Sequence, residues 1–307
     1  MIGATLLRIG HDQTIHDAYH FAATLLKVRL EDMEDAAISV EIVPEARLGT
    51  EPEMLRLVQS GDLDMAIITA ANAAGMFPEL AFFSLPYLFS GVEHFRKVAT
   101  AAKFRALVGS ITESHCPEVV PLAILTPGVR DLFSVRPVAR FDDIAGMRVR
   151  VMASPVDAEV WATWGAVPEA MPFGQIAEAI RSGRVEAAED TAAIYFAQRH
   201  FELAGNLALT EHQWSLGLVF ANKRRLADLG PEAMRKLVAY GRTISGPVIK
   251  YAVDSARAAI EAIERRDDIR LTRPDTRAFR KHAVGLWHRT AAQLSMTSAL
   301  DIIDPKV

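Results

Sequence analysis

The sequence predicts an α/β protein of two units tied together by a long, kinked helix. Three observations lead there. The first third alternates strand and helix periodicities, the middle repeats that alternation with new strands, and the last hundred residues hold one helical register for over thirty positions. A chain of 307 residues suits two domains at about 150 residues each.

The elements follow in order. Leu6-Leu7-Arg8-Ile9 reads as a short strand, and across 15–30 apolar residues recur at Tyr19, Ala22, Ala23, Leu26 and Leu30 with helical spacing. Ile38-Ser39-Val40-Glu41-Ile42-Val43 alternates with period two, Leu48-Gly49 turns, and 51–59 is a helix stopped by Gly61. Asp64-Met65-Ala66-Ile67-Ile68 is a third strand. This β-α-β-α-β order calls for a mainly parallel sheet flanked by helices, because right-handed crossovers make such connections. A second unit begins with strands at 119–125, 131–135 and 147–151, the last after a turn at 141–146. Helical patterns at 153–164 and 173–182 flank a strand near 167–171, and 185–190 is a further strand before a helical 191–200. From Pro231, apolar residues keep helical register through Ile263, a length of roughly 50 Å that can lie across two domains. Gly246-Pro247 should kink it, since an interior proline removes a backbone hydrogen bond.

Composition excludes several classes. Half the residues are apolar and 23% are charged, which rules out a disordered chain. Thirty-four Lys and Arg against 38 Asp and Glu, without a basic run, argue against nucleic acid as a partner. Cys116 is the only cysteine, so neither an intramolecular disulfide nor a thiolate zinc cluster can form, and the compartment stays open. Met1-Ile2-Gly3-Ala4-Thr5-Leu6-Leu7 lacks the charge and apolar core of a signal peptide. The longest apolar stretch, 65–77, is shorter than the ~18–20 residues of a membrane span.

Phosphate-binding glycine loops, dinucleotide fingerprints and nucleophile elbows are absent, which weakens an enzymatic reading. His16 and His20 share a helix face but lack the glutamate and third ligand of a zinc site; no cofactor and no metal is expected. His282 and His288 fall on different helix faces. In Met147-Arg148-Val149-Arg150-Val151 the arginines share one side of a strand and the valines the other, so the arginines must find an anion: a protein acid such as Asp142 or Asp143, or a ligand. Arg130 lies twenty residues upstream at a strand start; two such arginines would make a carboxylate clamp.

Several ordered segments carry a resemblance. Leu48-Gly49-Thr50-Glu51, Gly61-Asp62-Leu63-Asp64-Met65-Ala66, Pro78-Glu79-Leu80 leading to Phe83-Ser84-Leu85-Pro86-Tyr87-Leu88-Phe89, and Gly146-Met147-Arg148-Val149-Arg150-Val151 are similar to stretches of the solute-binding proteins of tripartite ATP-independent periplasmic (TRAP) transporters. The match runs almost end to end. It implies a periplasmic-binding-protein-like fold with two discontinuous domains, 1–127 plus 216–255 and 128–215 plus 256–307, hinged around a cleft. It implies a monomeric periplasmic protein that captures a small organic acid and delivers it to two integral-membrane subunits, and not an enzyme. Arg150 would hold the ligand carboxylate, Arg130 would be a second donor, and Phe173 would pack on the ligand. Asp12, Glu51 and Thr69 stand where first-domain polar contacts arise, and His212 and Trp214 either line the pocket or cap the hinge. In Glu189-Asp190 the glutamate matches, whereas Asp190 replaces the asparagine usual in the family. A carboxylate there would accept from a ligand hydroxyl or ammonium, favouring a hydroxy-acid, sugar acid or zwitterion over a plain dicarboxylate; the alternative is that Asp190 pairs with Arg130 or Arg150. The same fold also serves ligand-sensing proteins of membrane signalling systems, and a cytosolic two-domain enzyme is the third reading.

Overall fold

The computed structural model describes residues 5–33 and 37–305; Met1-Ile2-Gly3-Ala4, read above for a leader, lies outside them. The strands are β1 Thr5–Gly10, β2 Ile38–Val43, β3 Met65–Thr69, β4 Val119–Leu125, β5 Val129–Ser134, β6 Arg148–Val151, β7 Val167–Ala170, β8 Ala187–Thr191, β9 Asn206–Trp214, β10 Gly217–Asn222 and β11 Arg270–Thr272. The helices are α1 Ala18–Glu31, α2 Glu51–Ser60, α3 Ala70–Ala73, α4 Val92–Thr100, α5 Ala102–His115, α6 Pro155–Thr163, α7 Ile176–Arg181, α8 Ala192–Ala197, α9 Lys223–Ala227, α10 Pro231–Thr243, α11 Ser245–Ile263, α12 Arg277–Gln293 and α13 Thr297–Ile303.

Two mixed sheets result, ordered β2-β1-β3-β10-β4 and β11-β9-β5-β8-β6-β7. Strands β1, β2 and β3 are parallel, as the β-α-β-α-β pattern requires, and β6 is parallel to both β7 and β8. The strands antiparallel to both neighbours are β10 in the first sheet and β5 in the second. These adjoin two of the three places where the chain changes sheet, between Leu125 and Val129 and between Trp214 and Gly217; the third change runs through α11 to β11. Local chemistry explains the elements that frame the cleft. All five residues of β3 are buried, fitting a strand covered on both faces. Helix α2 begins with a Thr50/Glu53 capping box and ends at Gly61, whose φ of 87° suits glycine.

The long helical register proves to be two helices. Proline 247 has no N–H to offer the Thr243 carbonyl, so α10 ends at Thr243 and α11 restarts through Ile244, with the proline in its first turn. Helix α11 packs on α1 beside the first sheet and on α8 beside the second. The predicted helix at 173–182 splits into a 3₁₀ turn, Phe173–Gln175, and α7, because Pro172 and Gly174 oppose a continuous start.

The Pro86-Tyr87-Leu88-Phe89 stretch is structural. Tyr87 holds a φ of 56°, its N–H donates to His212 O (2.7 Å), its hydroxyl donates to Thr210 O (2.9 Å), and Trp287 Nε1 donates to Pro86 O (2.8 Å). This loop therefore fastens the first-sheet side to β9 and α12. At the far end α13 packs on α5, and His94 Nε2 donates to Ile303 O (2.6 Å). No helix among the described residues is long and apolar enough to cross a membrane.

Candidate functional site: a cleft between the two sheets

In open α/β sheets ligands sit beyond the carboxyl ends of the parallel strands, where backbone groups and polar side chains emerge from the core. Here those ends converge. His11-Asp12-Gln13 follow β1, Thr69 closes β3 and Asn72 lies in the next turn; from the other side come Arg150 near the end of β6 and Asp190 near the end of β8. Between them lie an outer chamber of about 310 Å³ and an inner one of about 20 Å³, both bordered by Asp12, Asn72 and Phe173. The inner chamber is also lined by Gln13, Tyr19, Thr69, Arg130, Arg150 and Asp190; the outer adds Glu45, Glu51 and Gln198.

The two buried arginines differ. Arg130 Nε meets Glu189 Oε2, Nη2 donates to the Glu189 carbonyl, and Nη1 reaches Asp190 Oδ1 at 3.4 Å. Burial works against its charge, but Asp190 and Glu189 outweigh burial and raise its pKa. Burial likewise works against the charge of Glu189, yet Arg130 and His212 draw its pKa down to about 2. Asp190, farther from the guanidinium, is pushed up to about 6 by burial despite Arg130. Asp190 thus pairs with Arg130 and also faces the inner chamber.

Arg150 is 2% exposed, donates from Nε to Met171 O (3.0 Å), and forms no ion pair among the described residues. Burial lowers its pKa, the opposite of Arg130. The anion that Arg148 finds is neither Asp142 nor Asp143 but Glu186, at 3.4 Å on the surface.

Facing them, Glu51 accepts from Thr69 N (3.0 Å), Thr69 Oγ1 and Asn72 Nδ2 (2.6 Å). Burial raises its pKa against these donors. Asp12 is raised well above the usual carboxylate range by burial and by the neighbouring Glu51 and Asp190, with Arg150 opposing. Asn72 escaped the sequence reading: its Oδ1 accepts from Ala153 N (3.1 Å), so one side chain joins Glu51 to the second-sheet side. Its place just after a strand end is the one signal that marks it.

Three expected residues do not border the cavity. Glu189 lies behind Arg130; His212 is buried with Nδ1 2.8 Å from Thr210 Oγ1 and its ring edge-on to Trp161; Trp214 packs near Phe95, centroids 5.9 Å apart. Strand β9 carries the last two toward the Pro86-Tyr87 fastening, which is why proximity in sequence to the sheet change did not bring them to the cleft. His20 turns to His11, Nδ1 to Nε2 at 3.1 Å.

Two sheets joined by repeated crossings, with a buried cation in the cleft between them that has no ion pair among the described residues, are the architecture of a two-lobed solute-binding protein. The chain belongs to the family described as bacterial extracellular solute-binding protein, family 7 (DctP), whose model matches residues 9–294. It is a solute-binding protein of the TRAP type, and the family consists of binding proteins, not enzymes. A solute-binding protein of Roseobacter denitrificans is 30% identical over 67% of this chain, which spans 62% of that relative. The 2,3-diketo-L-gulonate-binding periplasmic protein of Escherichia coli is 26% identical over 91% of this chain and 84% of its own. Among solved structures, a TRAP periplasmic solute-binding protein of Polaromonas bound to D-erythronate superposes with a TM-score of 0.91 at 23% identity, covering 99% of both chains. One from Xanthobacter autotrophicus with bound β-D-galacturonate gives 0.88 at 22%, covering 97% and 98%.

Proposed function

We propose that this protein captures a small hydroxylated carboxylate, such as a sugar acid, in the cleft and delivers it to the two membrane subunits of a TRAP transporter. The observation that carries the reading is Arg150, a buried guanidinium that lines the cavity and has no ion pair among the described residues. An unpaired buried charge is costly, so the site is completed by an anion, for which the guanidinium fork offers two parallel donors. Beyond the Asp12 it shares with the inner chamber, the outer chamber bears Glu45 and Glu51 and, among the described residues, no lysine or arginine, so the far end of the solute carries hydroxyls and not a second carboxylate. Phe173 supplies an apolar plate beside these polar groups. Arg130, Thr69 and Asp190 complete the inner wall, and Arg130 contributes as much by holding the two acids as by donating.

The lobes of this proposal are residues 1–127 plus 216–255 and 128–215 plus 256–307, with each sheet central to one lobe. Contacts from both lobes coexist only in the closed form, so solute shifts the population toward closure. We place the protein in the periplasm as a monomer. The acid sugars named for the Polaromonas and Xanthobacter structures favour this solute class. A thermal-shift screen of sugar acids, hydroxy-acids, amino acids and dicarboxylates tests it: a ligand at 100 times its Kd stabilises by roughly 2.7 kcal/mol. Sugar acids and hydroxy-acids should lead. A screen led by dicarboxylates, or one in which no acid raises Tm, contradicts the proposal.

A further inference from the structure

Three buried polar atoms around the inner chamber have no hydrogen-bond partner among the described residues: Asp12 Oδ1, Gln13 Oε1 and Tyr19 Oη. Their residues are 8%, 7% and 1% exposed. Buried polar atoms are nearly always satisfied, and three orphans on one chamber mark a place where a ligand supplies what is missing. The arrangement is sterically supported. Gly217 on β10 leaves the space occupied by the Tyr19 hydroxyl, since a Cβ there would lie 2.7 Å from it.

The chamber, at about 20 Å³, holds one water-sized group as it stands, so a carboxylate on Arg150 and a hydroxyl beside it enter together only as the chamber widens toward the outer one. Arg150 borders the same chamber. We propose that Asp12, Gln13 and Tyr19 form a subsite that reads a hydroxyl on the carbon next to the solute carboxylate, making the solute a 2-hydroxy acid of the open-chain aldonate type. A hydroxyl gives its one proton to Gln13 Oε1 and accepts through its lone pairs from the Tyr19 O–H and from the Asp12 carboxyl, whose protonated form burial favours, whereas an ammonium can only donate and would sit beside Arg150. The pyranose ring of a uronate places an ether oxygen on that carbon, which cannot donate to Gln13. Burial keeps the Tyr19 phenol protonated and able to donate.

The inference rests on the carboxylate reading above, and one calorimetric series separates the two. D-gluconate, 2-deoxy-D-gluconate, 2-amino-2-deoxy-D-gluconate and D-glucuronate are titrated into the wild-type protein. The 2-deoxy acid should bind roughly tenfold to a hundredfold more weakly than gluconate, because its loss leaves buried acceptors unpaired. Gln13→Met and Tyr19→Phe should each shrink the gluconate to 2-deoxygluconate ratio, a comparison made within one variant and so independent of its stability. Equal binding of the two acids, or tighter binding of glucuronate or of the amino acid, overturns the subsite while leaving carboxylate capture intact. Failure of all four to bind removes both.

Discussion

Arg130 and Arg150 are both almost fully buried, yet their surroundings assign them opposite roles. Arg130 pairs with both Glu189 and Asp190 inside the second sheet; Arg150 lacks an ion pair among the described residues. Removing one member of a buried pair leaves an uncompensated charge, so Arg130→Ala should cost about 3–5 kcal/mol of folding stability without any solute present. Arg150→Ala removes a costly unpaired charge and should leave solute-free stability unchanged within about 1 kcal/mol or raise it. Urea denaturation of both variants checks this, and equal large losses would show that Arg150 is also a structural ion. Both arginines were legible in the sequence from their strand positions. Their difference was not, because it depends on the antiparallel register that sets Asp131 opposite Asp190 and Leu132 opposite Glu189, a pairing between segments some sixty residues apart.

At the scale of elements, close packing and burial give two separable outcomes. Helix α10 crosses β4 so closely at Gly241 that a Cβ would lie 2.2 Å from Leu122 O. Alanine is the better helix former by about 1 kcal/mol, but a backbone clash of this depth forces the helix off the strand. Gly241→Ala should therefore destabilise by roughly 1–3 kcal/mol, read by denaturation, with solute affinity unaffected. A stabilised variant would place the helix farther from the sheet. His200, on the 3₁₀ turn His200–Glu202, stacks on Phe133 with centroids 5.1 Å apart, and burial, aided by Arg150, lowers its pKa to about 4. The unfolded chain protonates this histidine below its ordinary value near 6.5 while the folded chain does so only near 4. Its contribution is thus present above pH 6.5 and is lost as pH falls toward 4, at about 1.4 kcal/mol per pH unit. Between pH 6.5 and 4, His200→Gln should lose stability less steeply than wild type by about that slope; parallel curves would mean the ring is solvated.

For the whole molecule, the two α/β units and the parallel run of β1, β2 and β3 were legible because periodicity is a local property and β-α-β connections call for parallel strands; their order in the sheet was not. So was the interruption at Gly246-Pro247, although its outcome is a joint between two helices and not a bend within one. The changes of sheet at Leu125–Val129 and Trp214–Gly217 were implied only by family resemblance, since no residue pattern there distinguishes a strand that continues a sheet from one that leaves it. Asn72, Gln13 and Tyr19 were missed for a related reason: whether a polar side chain meets a cleft depends on where the other lobe stands. The sequence features most easily recognised, such as Pro86-Tyr87-Leu88-Phe89, hold the lobes together instead of touching the cavity.

In the proposed function a solute carboxylate completes Arg150, which has no ion pair among the described residues. Calorimetric titration of the sugar acid giving the largest thermal shift, into wild type and Arg150→Ala, tests it most directly. Loss of one partner of a desolvated charge pair costs about 2–5 kcal/mol, so the variant should bind at least roughly thirtyfold more weakly while its solute-free melting curve stays cooperative. Equal affinity in the two proteins would contradict the account and move the anion site away from Arg150.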